Sequence, residues 1–155
     1  VPHAITITGT RSTGHRPLAE YERLFAEYLG PWAASGPRWY IGGAVGIDTL
    51  TLRWLAERTT CPITVVVPVT LDAQPAEAQA AVAAARAAGR LEALVELRHP
   101  AGLCAASYHA RNRWMVDRSQ FVIGFPHSAS DAGSGTWYTL DYGAGRGLPR
   151  LIIPV

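Results

Sequence analysis

The run Ile63-Thr64-Val65-Val66-Val67 is β-branched at every position and stops at Pro68. Branching at Cβ suits a pleated surface better than a helix, and a nearly continuous apolar run marks a strand buried on both faces of a parallel sheet. A central strand of this kind constrains the whole chain, because parallel neighbours are joined by crossovers, usually through a helix. The flanking sequence supplies them. Short apolar runs at Ala4 to Thr8, Pro37 to Ile41, Ala93 to Leu97, Gln120 to Phe125 and Arg150 to Ile153 read as further strands. Between them, Leu18 to Leu29, Ile47 to Ala56, Ser107 to Asp117 and Trp137 to Arg146 carry helical spacing, with Leu18, Tyr21, Leu24, Phe25 and Tyr28 on one side of the first. Pro75 to Ala88 is Ala-rich with a weak apolar stripe and reads as a surface helix. His99 to Ala105 reads as a loop and Pro126 to Ser134 as a mobile polar one. The expected fold is α/β: a Rossmann-like, doubly wound, mostly parallel sheet of about six strands with helices on both faces.

A chain of 155 residues that is 48% hydrophobic and 17% charged is large enough for one self-sufficient core, so residues 1–155 are expected to form a single domain. All fourteen basic residues are Arg. The lack of Lys excludes a Walker A loop and Schiff-base catalysis, and leaves phosphate to backbone N–H groups, hydroxyls and guanidinium. Cys61 and Cys104 have neither C-x-x-C nor His-paired spacing. They read as buried free thiols, not as a metal or redox pair. No apolar run approaches the roughly 18 residues that span a bilayer, and no signal-peptide pattern opens the chain; the expected setting is cytoplasmic, with no membrane partner.

Three loops bear on function. Gly9-Thr10-Arg11-Ser12 follows the first strand, Gly42-Gly43-Ala44-Val45-Gly46 the second, and Gly133-Ser134-Gly135-Thr136 lies beyond the fifth and opens a helix. In open α/β sheets, ligands sit beyond the carboxyl ends of the strands where strand order reverses, so all three are expected to face one crevice. Each offers what an anion needs: small residues, hydroxyls and, at Arg11, a guanidinium. Ile41 occupies the first glycine position of the dinucleotide fingerprint, which argues against a conventional NAD site. Asp48 either steadies its helix N-terminus or accepts a ribose hydroxyl. In Arg111-Asn112-Arg113, Arg111 with Asn112 is expected to face the crevice and Arg113 the solvent, since Trp114, Met115 and Val116 must supply the buried side. Trp137 and Tyr138 read as core, or as a base-stacking pair. No metal site is expected: Asp131 and Asp141 lack a ligand partner, and His109 reads as a packed or surface side chain.

The segments GTRS, GGAVGIDTLTLRWLAE, YHARNRWM and GSGTWYTLDYGAGRGLPRLIIP, in this order, resemble the SLOG superfamily of Rossmann-like proteins over nearly the whole chain. Within it the pattern is similar to the DprA/Smf DNA-processing proteins and the YspA-like proteins, and more distantly to the LOG phosphoribohydrolases. The resemblance implies a nucleotide-derived ligand such as AMP or ADP-ribose and a homo-oligomer, with Gly9, Thr10, Arg11, Gly42, Gly43, Ala44, Gly46, Asp48, Arg111, Asn112, Gly133, Ser134, Gly135 and Thr136 at the binding positions. Three readings follow: a small-ligand binder or sensor, a DprA-like single-stranded DNA module using Arg11, Arg16, Arg111 and Arg113, and a LOG-like N-glycoside hydrolase. The LOG pattern has an Arg-Lys pair and P-G-G-x-G-T-x-x-E. Here Asn112 replaces the Lys, Asp131-Ala132 the Pro-Gly, and Thr139 the Glu, with Asp141 the nearest carboxylate. A hydroxyl cannot replace a carboxylate that steadies an oxocarbenium ion.

Overall fold

The computed structural model describes residues 1–127 and 134–155. Six strands, β1 (Ala4–Gly9), β2 (Arg38–Gly42), β3 (Ile63–Val67), β4 (Ala93–Glu96), β5 (Phe121–Phe125) and β6 (Arg150–Ile152), form one sheet in the order β4-β3-β2-β1-β5-β6. Every pairing is parallel. The helices are α1 (Leu18–Tyr28), α2 (Gly30–Ala33), α3 (Ile47–Arg58), α4 (Ala76–Ala87), α5 (Ala105–Asp117) and α6 (Gly135–Gly145), with a short 3-10 turn at Leu71–Ala73. The α/β, Rossmann-like architecture read from the sequence is thus the one observed. All five residues of β3 are buried. It is an interior strand one place from the edge, while β1 and β2 hold the middle of the sheet.

Alternation along the strands divides the core into two layers. Ile5, Ile7, Trp39, Ile41, Ile63, Val65 and Val67 face Tyr21 and Phe25 of α1, Leu52 and Leu55 of α3, and the inner side of α4. On the other face, Ala4, Tyr40 and Val66 meet Met115 of α5, and Val122 meets Val116 and Leu140. Helix α4 differs from the expected surface helix: Ala78, Ala81, Val82 and Ala85 are buried, and the helix packs on α3. Alanine contributes little to an apolar stripe, yet a seam of small side chains lets two backbones approach closely. The α3 C-terminus is closed by Arg90, whose guanidinium donates to the carbonyls of Ala56, Thr59 and Cys61 at 3.0, 2.8 and 3.1 Å, where a cation offsets the helix dipole.

Strand order reverses between β1, which leads on to β2, and β5 on its other side. The loop after β1 is fixed at this point from both directions. Thr10 N–H donates to Phe125 O, and Thr10 O accepts from Ile47 N–H, each at 3.0 Å. Among the described residues, no helix is long and apolar enough to cross a membrane.

Candidate functional site

A cavity of about 570 Å³ opens at this reversal point, within the range of small-molecule pockets. Of the residues expected to bind, Gly9, Thr10, Arg11, Ala44, Asp48, Arg111, Asn112, Ser134, Gly135 and Thr136 line it. Gly133, like Asp131 and Ala132, lies outside the described residues. Gly42, Gly43 and Gly46 stand behind the lining, where their missing side chains make room for protein atoms. A Cβ on Gly42 would lie 2.5 Å from Arg111 Nη1 and 2.6 Å from Asp48 Oδ2, and one on Gly43 would lie 2.5 Å from Val67 Cγ1. Gly46 is held at φ 79°, ψ −130°, a conformation open in practice only to glycine, and its Cβ would lie 2.5 Å from Thr10 O.

Arg111 and Asn112 line the cavity and are both buried, at 4% and 6% exposure. The Arg111 guanidinium donates from Nε to Asn112 Oδ1 at 2.8 Å and from Nη1 to Val66 O at 3.0 Å. Burial pulls its pKa below the usual range while Asp48 acts against that shift, and guanidinium stays charged in either case. Arg113 does not run out to solvent: it is half-buried and donates to Tyr138 Oη at 2.6 Å. Tyr138 in turn stacks on His109, with centroids 3.8 Å apart and planes within 8°. Neither Tyr138 nor Trp137 lines the cavity; Trp137 packs on the Val116, Val122 and Leu140 cluster.

Asp48, in the first turn of α3, is 8% exposed and accepts from Ala44 N–H at 3.3 Å. Thr49 Oγ1 closes the same turn on Ala44 O at 2.8 Å. Burial, resisted by Arg111, the Ala44 N–H and Arg11, pushes the Asp48 carboxyl up to about 7. Among the described residues lining the cavity it is the one carboxylate. Asp141 is exposed and pairs with Arg150 at 3.2 Å, and Thr139 is fully buried with Oγ1 bonded to Gly135 O. The described part of α6 therefore brings no acid to the cavity.

Sequence reasoning missed the N-terminus of α5. Cys104 caps that helix and lines the cavity with Ala105, Tyr108 and His109. Cys104 is half-buried, so it is not the buried thiol expected, and the backbone N–H and hydroxyl of Ser107 draw its thiol below the usual range. Cys61 is buried, and its Sγ donates to Ala33 O. The signal available was Ser107 three residues after Cys104, the spacing of a capping box. Tyr108 holds both cavity cations by its ring, with the Cζ atoms of Arg11 and Arg111 at 4.4 and 5.4 Å. Residues from the N-terminal ends of α3, α5 and α6 thus line one cavity beside two guanidinium groups. The positive ends of helix dipoles favour anions there.

Ser134 caps α6, its Oγ accepting from Trp137 N–H at 3.2 Å. Ser134→Ala is expected to lower stability by about 1 kcal/mol, seen as a shift in the urea midpoint without a change in slope. An unchanged midpoint would show that the cap contributes nothing. No cluster of three or more His, Cys, Asp or Glu suited to a metal occurs among the described residues.

No family model matches the chain, and no curated protein does. Solved structures do. TM1055, a structural genomics target, superposes with a TM-score of 0.63 at 15% identity, over 95% of this chain and 71% of that one. The DNA processing protein A of Helicobacter pylori, described for its single-stranded DNA binding mode, superposes with a TM-score of 0.68 at 20% identity, over 98% of this chain and 65% of its own. This chain therefore spans less than two thirds of that second protein, and at such identities the likeness lies in the fold: the chain is a Rossmann-like α/β protein similar in architecture to both.

Proposed function

We propose that this chain is a SLOG-type protein that binds a nucleotide or nucleotide-derived phosphorylated ligand, of the kind of AMP or ADP-ribose, in the cavity beyond β1, β2 and β5. The observation that carries this reading is the buried Arg111 guanidinium in the wall of a cavity that also receives residues from three helix N-termini. A phosphate would lie against Arg111 and the first turn of α6, with Thr10 and Arg11 closing over it. Retaining a charge at 4% exposure is costly without a counter-ion, and among the described residues lining the cavity Asp48 is the one carboxylate.

Single-stranded DNA is the second reading, favoured by the architecture shared with DNA processing protein A. The arginine distribution speaks for the smaller ligand. Of the four arginines that would form a DNA groove, Arg16 lies 3.7 Å from Glu20 and Arg113 is engaged by Tyr138, leaving two cations at the cavity. Affinity for a phosphate backbone grows with the number of neutralising contacts.

The test is a thermal-shift panel of AMP, ADP, ADP-ribose, NAD and a short single-stranded oligonucleotide on wild type, Arg111→Ala and Arg11→Ala. A small nucleotide at about 100 times its Kd is expected to stabilise wild type by about 2.7 kcal/mol, a shift of several degrees. Arg111→Ala removes a buried charge partner and lowers the unliganded melting temperature too; Arg11→Ala, altering an exposed side chain, isolates the ligand effect and should reduce the shift by half or more. A shift with the oligonucleotide alone would favour the DNA reading. Release of ribose 5-phosphate from AMP, lost in Arg111→Ala, would favour the hydrolase.

A further inference from the structure

Asp48 is an unexpected neighbour for an anion. Its carboxylate and the Arg111 guanidinium approach the same notch, the space left by the missing Gly42 side chain, and both line the cavity. A phosphate seated on Arg111 would place a second anion beside a carboxylate that is itself 8% exposed, where burial weakens the screening of the repulsion by solvent. Two like charges sharing one site cannot both stay ionised without a large penalty, and the carboxyl is the group free to take a proton. We infer that anion binding at Arg111 is coupled to protonation of Asp48, so that the ligand enters together with one proton. This inference rests on the anion-binding reading above and specifies how that site is regulated.

The balance is simple. The empty site holds guanidinium and carboxylate; the filled site holds guanidinium, the ligand anion and a neutral carboxylic acid, with one proton drawn from solvent. Burial already brings the empty-site carboxyl up to about 7, so the proton is available near neutrality. Below that pH the acid is neutral before the ligand arrives, and binding takes up little. Above it, affinity falls by up to about tenfold per pH unit. The charged groups facing Asp48 are Arg111 from α5 and Arg11 from the loop after β1. Tyr108 and His109 of α5, its cap Cys104 and His127 after β5 share the cavity. Protonation of either histidine would also tighten anion binding at lower pH, so the Asp48 variant must carry the distinction.

The experiment is isothermal titration calorimetry of ADP-ribose, whose phosphates do not titrate between pH 5.5 and 8, in buffers of differing ionisation enthalpy. Wild type is expected to take up close to one proton per ligand at pH 8 and close to none at pH 5.5, with Kd rising about tenfold between the two. Asp48→Asn, which keeps an acceptor for Ala44 N–H, is expected to abolish the uptake and bind about tenfold tighter than wild type at pH 8. Independently of any variant, the Asp48 carboxyl carbon followed by NMR should titrate near neutrality in the empty protein and at higher pH in saturating sulfate. Binding with buffer-independent heat and a flat Kd would leave the anion site standing and overturn the coupling. So would proton uptake that persists in Asp48→Asn. No binding of ADP-ribose or sulfate at either pH would overturn the anion-binding reading and the coupling together.

Discussion

Gly46→Ala is expected to lower folding stability by about 2–6 kcal/mol and to abolish the proposed nucleotide binding even where the variant still folds. Two penalties combine. At φ 79°, ψ −130° an L side chain meets its own backbone, a strain of about 1–3 kcal/mol. The new Cβ would also lie 2.5 Å from Thr10 O and 2.6 Å from Arg11 Cα. These are backbone atoms, so rotamer adjustment cannot relieve the contact, and overpacking of this kind adds about 1–3 kcal/mol. The carbonyl displaced is the one that accepts from Ile47 N–H, so the loop carrying Arg11 would move away from α3. Gly135→Ala is the internal control: a Cβ there meets nothing within 4 Å, and its stability should match wild type within about 0.5 kcal/mol. Equal urea midpoints for the Gly46 and Gly135 variants would refute this account of the turn.

The second large effect is on the pH dependence of stability. In the folded protein the Asp48 carboxyl sits at about 7, against 3.8 without the fold. Because the folded value is raised, the native state binds the proton more tightly than the unfolded chain. The associated stability is present below about pH 4 and lost as pH rises through 7. Three pH units at 1.36 kcal/mol each correspond to about 4 kcal/mol. Asp48→Asn has no proton to lose, so it should be the more stable protein at pH 8, by up to about 10 °C in melting temperature for a chain of this size, with the difference shrinking toward pH 4. Thermal melts of both proteins from pH 4 to 8 measure this directly; parallel curves would mean that Asp48 does not titrate in this window. In the empty protein this carboxylate therefore weakens the fold as pH rises through 7.

The strands were legible because β-branched runs such as Ile63 to Val67 carry their own period, and their alternation with helices left few topologies open. The turn glycines were legible as positions, but not in purpose. Whether a missing Cβ admits a ligand or a neighbouring side chain depends on what packs opposite, and at Gly42 that is Arg111, nearly seventy residues on. For the same reason α4 read as a surface helix: its alanines acquire meaning only against α3. Arg113 shows the limit of helical spacing, which sets the direction of a side chain without revealing that Tyr138 stands in its way. The sequence by itself determined a parallel α/β sheet and the loops that gather at its carboxyl edge, because local periodicity and turn chemistry act within a few residues. Only the tertiary structure decided that Cys104 opens a helix into the cavity and that Asp48 faces Arg111 there. Burial and charge proximity are set by segments that the chain order keeps far apart.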